Sequence, residues 1–129
     1  MPKTMKDFVA EARKMTGGSV DAGKADGLIL DVREAHELDT DGRVPDAVHI
    51  PRGFLEAKAD VTNEGGEKAL HASHAGGMPV HVLCASGARA SLAAATLTEM
   101  GYSAKPIEGG LKAWREAGRP VDGGNGGTS

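Results

Sequence analysis

Among 129 residues there is one cysteine, one tryptophan, one tyrosine and only two phenylalanines. A single cysteine excludes an intrachain disulfide and fits a reducing compartment. With so few aromatics the core must be mostly aliphatic. No apolar run approaches the ~20 residues needed to span a bilayer. The opening MPKTMKDFVAEARKM carries charges between its apolar positions, unlike a signal peptide. Lys and Arg are nowhere clustered and the formal charge is -3, so the chain lacks the basic field with which proteins hold nucleic acid. These absences describe a soluble, cytoplasmic chain, with neither nucleic acid nor membrane expected as a partner.

What is present is ordinary in amount and ordered in arrangement. Hydrophobic residues at 40% and charged residues at 26% are those of a globular protein, and the length suits one core. We expect a single domain over residues 1–121. The remainder, 122–129, reads DGGNGGTS, has no apolar residue and is expected to be disordered. TMKDFVAEARKMTGG predicts a first helix. Thr4 and Asp7 have capping-box spacing, Phe8, Ala12 and Met15 fall at i, i+4 and i+7, and Gly17 and Gly18 stop it. GLILDVRE is too short for a helix and long enough for a buried strand. A helical turn at EAHEL and a turn-rich DTDGRVPDA lead to a short strand, VHIP. Between Gly53 and Gly77, FLEAKAD and EKALHASHA are each helical in pattern, separated by TNEGG.

MPVHVLC is the next buried strand. After a turn over Ala85–Gly87, ARASLAAATLTEM predicts a helix with Leu92, Ala93, Thr96, Leu97 and Met100 on its packing face. YSAKPIEG returns as a strand, and GLKAWREAG makes a last helix. Strands alternating with helices imply an α/β fold with a parallel sheet covered on both faces, whose reactive crevice lies beyond the carboxyl ends of the strands. Cys84 stands at that edge, and so do Asp31 and Arg33.

The loop CASGAR therefore carries the most information. A lone cysteine is most often a small buried hydrophobe. This one sits between a strand and a helix, followed by small residues, Gly87 and Arg89. Successive backbone N–H groups can turn inward there, and the helix start adds partial positive charge, which suits a thiolate or something attached to it. Ser86 offers a further donor and Arg89 a forked anion clamp. With no second cysteine, a Cys-X-X-Cys redox couple is excluded.

LILDVREAHEL, GRVPDAVHIP, PVHVLCASGARASLAAATLTEMGY and IEGGLKAW, in that order, resemble a single-domain rhodanese (thiosulfate sulfurtransferase-like) module over about Leu28 to Val121. The resemblance implies a three-layer rhodanese-like fold and transfer of sulfane sulfur from thiosulfate or a similar donor, through a Cys84 persulfide, to a thiol or cyanide acceptor. It makes Cys84 the catalytic nucleophile, and Ala85, Ser86, Gly87, Ala88 and Arg89 the binding loop, with Arg89 touching an anionic donor. No metal and no cofactor is implied. Many relatives carry a basic residue directly after the cysteine, where this chain has Ala85. They often read GHIPGA where it has GRVPDA, so that Arg43 replaces a histidine and Asp46 a glycine.

Other residues have plainer roles. Asp31 and Arg33 support the active edge, more by a structural pairing that ties the strand end to neighbouring backbone than by direct chemistry. Trp114 and His81 read as packed side chains, and the histidines show no zinc spacing. Cysteine phosphatases also cradle a thiolate closed by Arg, but with five residues between Cys and Arg. Here there are four, and no carboxylic acid is assigned to protonate a leaving group. The alternative to turnover is a persulfide carrier or a sulfur-sensing module, loaded by a partner protein.

Overall fold

A computed structural model describes residues 1–124, the side chains of 75 and 76 excepted. Helix α1 spans Met5–Thr16, strand β1 Leu28–Asp31, α2 Ala35–Asp41 and β2 Val48–His49. A 3-10 turn at Arg52–Phe54 enters α3, Leu55–Ala59, and α4 follows over Lys68–Gly76. Then come β3 Val80–Leu83, α5 Ala88–Glu99, β4 Ala104–Pro106 and α6 Gly110–Glu116. The strands form one parallel sheet in the order β2-β1-β3-β4, as the alternation of short apolar runs with helices requires. Val20 adds a parallel bridge to Ile107 beyond β4.

Alternate residues of each strand face opposite layers. Leu30, Val80 and Val82 pack with Leu55, Leu70, Ala90, Ala93, Ala94 and Leu97 on one side. Ile29 and Leu83 pack with Ile107, Leu111 and Trp114 on the other. Each fully buried Leu, Ile or Val contributes about 1.5–3 kcal/mol through area removed from water. Trp114 fills the second layer, its indole N–H donating to the Pro120 carbonyl at 2.9 Å, with the Arg119 guanidinium over its ring.

The capping box of α1 forms as its spacing predicts: the Asp7 amide donates to Thr4 Oγ1, and the Thr4 amide to Asp7 Oδ2. Its packing face differs from the expected one. Ala12 and Thr16 are buried, whereas Phe8 and Met15 remain about half exposed, at 49% and 48%. The reason is the partner surface, for α1 lies across α5, and small side chains let the two helices approach closely. The face of α5 shifts correspondingly. Ala90, Ala93, Ala94 and Leu97 enter the core, Ser91 and Ala95 are buried too, and Leu92 and Thr96 are only half-buried.

The first residue expected in the tail is tied to the domain. Asp122 forms an antiparallel bridge with Arg43, exchanging backbone bonds of 2.8 and 2.9 Å. Residues 125–129 of that expectation lie outside the described residues.

Candidate active site

Register brings the site together. Asp31 of β1 stands level with His49 of β2 and with Leu83 of β3, so the residues following these strands share one edge. Cys84 is the first residue after β3 and is only 1% exposed. Gly87 caps α5 at φ 115°, a left-handed conformation that suits glycine. The turn this permits directs the Gly87 amide at Cys84 Sγ, 3.0 Å away, and the Ala90 amide donates to the same sulfur at 3.3 Å. Two backbone donors converging on one sulfur make a seat for a sulfur atom bearing negative charge.

The supports of that seat come from distant segments. Ser91, fully buried, donates from Oγ to the Gly87 carbonyl at 2.8 Å, and Arg13 of α1 donates to the same Oγ at 3.3 Å. On the other side the Leu111 amide of α6 donates to the Cys84 carbonyl at 2.8 Å. This contact explains the glycine that opens that helix. A Cβ on Gly110, whose φ is +60°, would lie 2.4 Å from the Cys84 oxygen and 2.5 Å from that of Ala85.

Ala85 and Ser86 are exposed at the mouth of the loop, and Ala88 is half-buried. The donors at the sulfur are therefore main-chain amides of Gly87 and Ala90, not the Ser86 hydroxyl. Arg89, expected to clamp an anion, gives Nη1 and Nη2 to the two oxygens of Glu37, at 2.7 and 2.8 Å. The geometry is two-pronged because a guanidinium and a carboxylate present matching planar forks. These bonds hold the Glu37 carboxyl down to about 2, against the opposing effect of its burial. Arg89 is held more firmly charged, first by Glu37 and, after burial has worked the other way, by smaller contributions that include Cys84.

Asp31 and Arg33 pair with each other. Arg33 Nη2 lies 2.7 Å from Asp31 Oδ2, both side chains being 1% exposed, and Nε bridges both carboxylate oxygens. The remaining bond of Nη2 goes to the Gly42 carbonyl. His81, within β3, turns its side chain to the Asp26 backbone, with Nδ1 2.6 Å from that carbonyl oxygen. Among the described residues no three His, Cys, Asp or Glu side chains are grouped to hold a metal ion, and no helix is long and apolar enough to cross a membrane.

The sequence reading missed Glu37, Ser91, Arg13 and the residues of α6 that face the loop. Glu37 had one visible signal, its position three residues after Glu34 at a helix start, where it closes a capping box with the Glu34 amide. Nothing local links Ser91 or Arg13 to the thiol.

A family model described as a rhodanese-like domain matches residues 11–117. The chain is 29% identical over 92 residues to YtwF of Bacillus subtilis (strain 168), whose name proposes a sulfurtransferase; the match covers 71% of this chain and 77% of that one. It is 35% identical over 74 residues to YrkF of the same organism, whose name proposes a sulfur carrier, covering 57% of this chain and spanning 33% of that longer relative. Among solved structures it is similar to RPA3614 of Rhodopseudomonas palustris CGA009, described as of unknown function and a possible tyrosine phosphatase. The TM-score is 0.80 at 29% identity, covering 95% of this chain and 99% of the other.

Proposed function

The chain belongs to the rhodanese-like domain family, and from that premise we propose that it transfers sulfane sulfur through a persulfide on Cys84. One observation carries the reading: the amides of Gly87 and Ala90 both donate to Cys84 Sγ. The thiolate attacks the outer sulfur of thiosulfate; the S–S bond of the donor breaks, its electron pair leaves with sulfite, and a new S–S bond forms on Cys84. An acceptor such as cyanide then attacks the terminal sulfur, leaving as thiocyanate and returning the thiolate. Sulfite needs no proton to leave, so no general acid is required beside the sulfur.

Phosphate ester hydrolysis, the activity raised for RPA3614, fits this loop poorly. Only four residues separate Cys84 from Arg89. The carboxyl group bound to that arginine belongs to Glu37, which is ionised down to about 2 and holds no proton to give a leaving alkoxide near neutral pH.

Intact mass of the reduced chain after thiosulfate, and again after cyanide, tests the proposal. A gain of one sulfur atom that cyanide removes as thiocyanate is expected, and Cys84→Ser abolishes it. A chain that gains no sulfur from thiosulfate overturns thiosulfate as donor. It leaves the carrier reading, in which a partner protein supplies the sulfur, as favoured by Ala85 at a position often basic and by the engagement of Arg89 with Glu37.

A further inference from the structure

Gly87 brings its amide to the sulfur, and the backbone that aims it is held from outside the Cys84 loop. The Gly87 carbonyl accepts twice from Ser91, from the amide at 2.9 Å and from Oγ at 2.8 Å. That hydroxyl accepts in turn from Nε of Arg13, a residue 78 positions earlier in the chain. A path of hydrogen bonds therefore runs from α1 through Ser91 and Gly87 to Cys84 Sγ.

The other end of the guanidinium is fixed as well. Nη1 and Nη2 meet the two carboxylate oxygens of Glu108 at 3.3 and 3.0 Å. This pairing, with a further bond from Ser19, holds the Glu108 carboxyl below the usual carboxylate range. Glu108 belongs to the turn between β4 and α6, and its amide donates to the Val20 carbonyl at 2.8 Å. Gly87 lies against both halves of this clasp. A Cβ built on it would lie 3.6 Å from Arg13 Nη2, 3.6 Å from the Gly109 amide nitrogen and 3.8 Å from the Ile107 carbonyl oxygen. One guanidinium thus joins α1, the first turn of α5 and the turn that enters α6.

Charge or geometry could give that guanidinium its effect, and geometry is favoured. Its side chain is 35% exposed and its charge is matched by Glu108, so solvent and partner together screen its field at the sulfur. Its shape is what no other cation reproduces. Nε and the Nη pair form one rigid fork and serve two partners at once, whereas a lysine has a single nitrogen.

We propose that Arg13 is a positioning residue for the thiol: anchored by Glu108, it holds the Ser91 hydroxyl on the Gly87 carbonyl and so keeps the Gly87 amide aimed at Cys84 Sγ. The inference rests on the sulfur-transfer reading and extends it, since α1 then supports the chemistry as well as packing on α5.

Alkylation of Cys84 by iodoacetamide at fixed pH, which needs no sulfur donor, tests it, with folding checked by thermal unfolding. Arg13→Lys keeps the charge and is expected to react about threefold more slowly than wild type. Ser91→Ala should be slowed comparably. The double variant should fall no more than about twofold below the slower single one, since both act through one path. Glu108→Gln, which frees the far end of the guanidinium, should slow the reaction about twofold. Lys14→Gln, an exposed neighbour on α1, should leave it unchanged. A wild-type rate in Arg13→Lys or, should that variant not fold, in Glu108→Gln overturns the role, and so do losses that multiply in the double variant. Sulfur loading of the wild-type chain by thiosulfate is read separately by mass. Loading with alkylation indifferent to Arg13→Lys removes the positioning role and keeps the transfer reading. Slowed alkylation in a chain that gains no sulfur keeps the role and removes thiosulfate as the donor.

Discussion

Glu37 and Arg89 form a two-point ion pair, Nη1 to Oε2 at 2.7 Å and Nη2 to Oε1 at 2.8 Å, that ties α2 to the first turn of α5. The same carboxylate accepts the Glu34 amide at 2.8 Å. One side chain thus closes the start of a helix and fixes the far end of the thiol loop.

The pair makes stability depend on acid. Glu37 ionises in the folded chain at about 2 instead of 4.5, chiefly through its bonds to Arg89. A folded value below the unfolded one means that the stabilisation is complete above 4.5 and is lost as pH falls toward 2. With the carboxylate 18% exposed, solvent screening leaves an effect on the order of 1–2 kcal/mol. Glu37→Gln keeps an oxygen for the Glu34 amide and removes the charge. Urea unfolding at stepped pH should show the variant weaker near neutrality and equal to wild type near pH 2. A difference that does not narrow with acid refutes the assignment.

On the sulfur-transfer proposal, Ser91 acts as a positioning residue. Its hydroxyl links Arg13 to the Gly87 carbonyl, so Ser91→Ala removes a buried bridge and is expected to cost about 1–2 kcal/mol of stability. Persulfide formation should slow several-fold, because Gly87 holds one of the two amides on the sulfur. Ser91→Thr, which restores a hydroxyl, should recover part of the rate. Stopped-flow loading with thiosulfate measures both. A variant that loses stability but loads at the wild-type rate limits Ser91 to packing.

Two glycines with similar backbones separate strain from crowding. Gly118 has φ +78° with no atom near its missing Cβ, whereas Gly110 has φ +60° and would drive a Cβ into the Cys84 and Ala85 carbonyls. Gly118→Ala should cost about 1–2 kcal/mol, the left-handed penalty alone. Gly110→Ala adds overpacking, for a total of about 3–5 kcal/mol. Thermal unfolding of the two variants compares them, and equal losses would show that α6 yields without straining the loop.

Much of this was legible in the chain. The Thr4–Asp7 capping box, the alternation of strands with helices and the strand–turn–helix setting of Cys84 are local signals, and each is found where its spacing puts it. Periodicity failed at Phe8 and Met15, because it marks an apolar stripe without knowing that an alanine-rich helix will admit only Ala12 and Thr16. The Glu37 partner of Arg89 had no local signal, because it lies 52 residues earlier. Asp46 has φ 64°, a left-handed conformation that aspartate tolerates better than most residues. The orphaned Nη1 of Arg33 could only be seen once its other nitrogens were placed.

The bond from the Leu111 amide to the Cys84 carbonyl also carries a meaning in time. A chain growing from its amino end presents Cys84 before Leu111 exists, so the loop is first made without its brace. The last helix acts as a keystone: the loop around the Cys84 sulfur gains its brace only after the chain has passed α6.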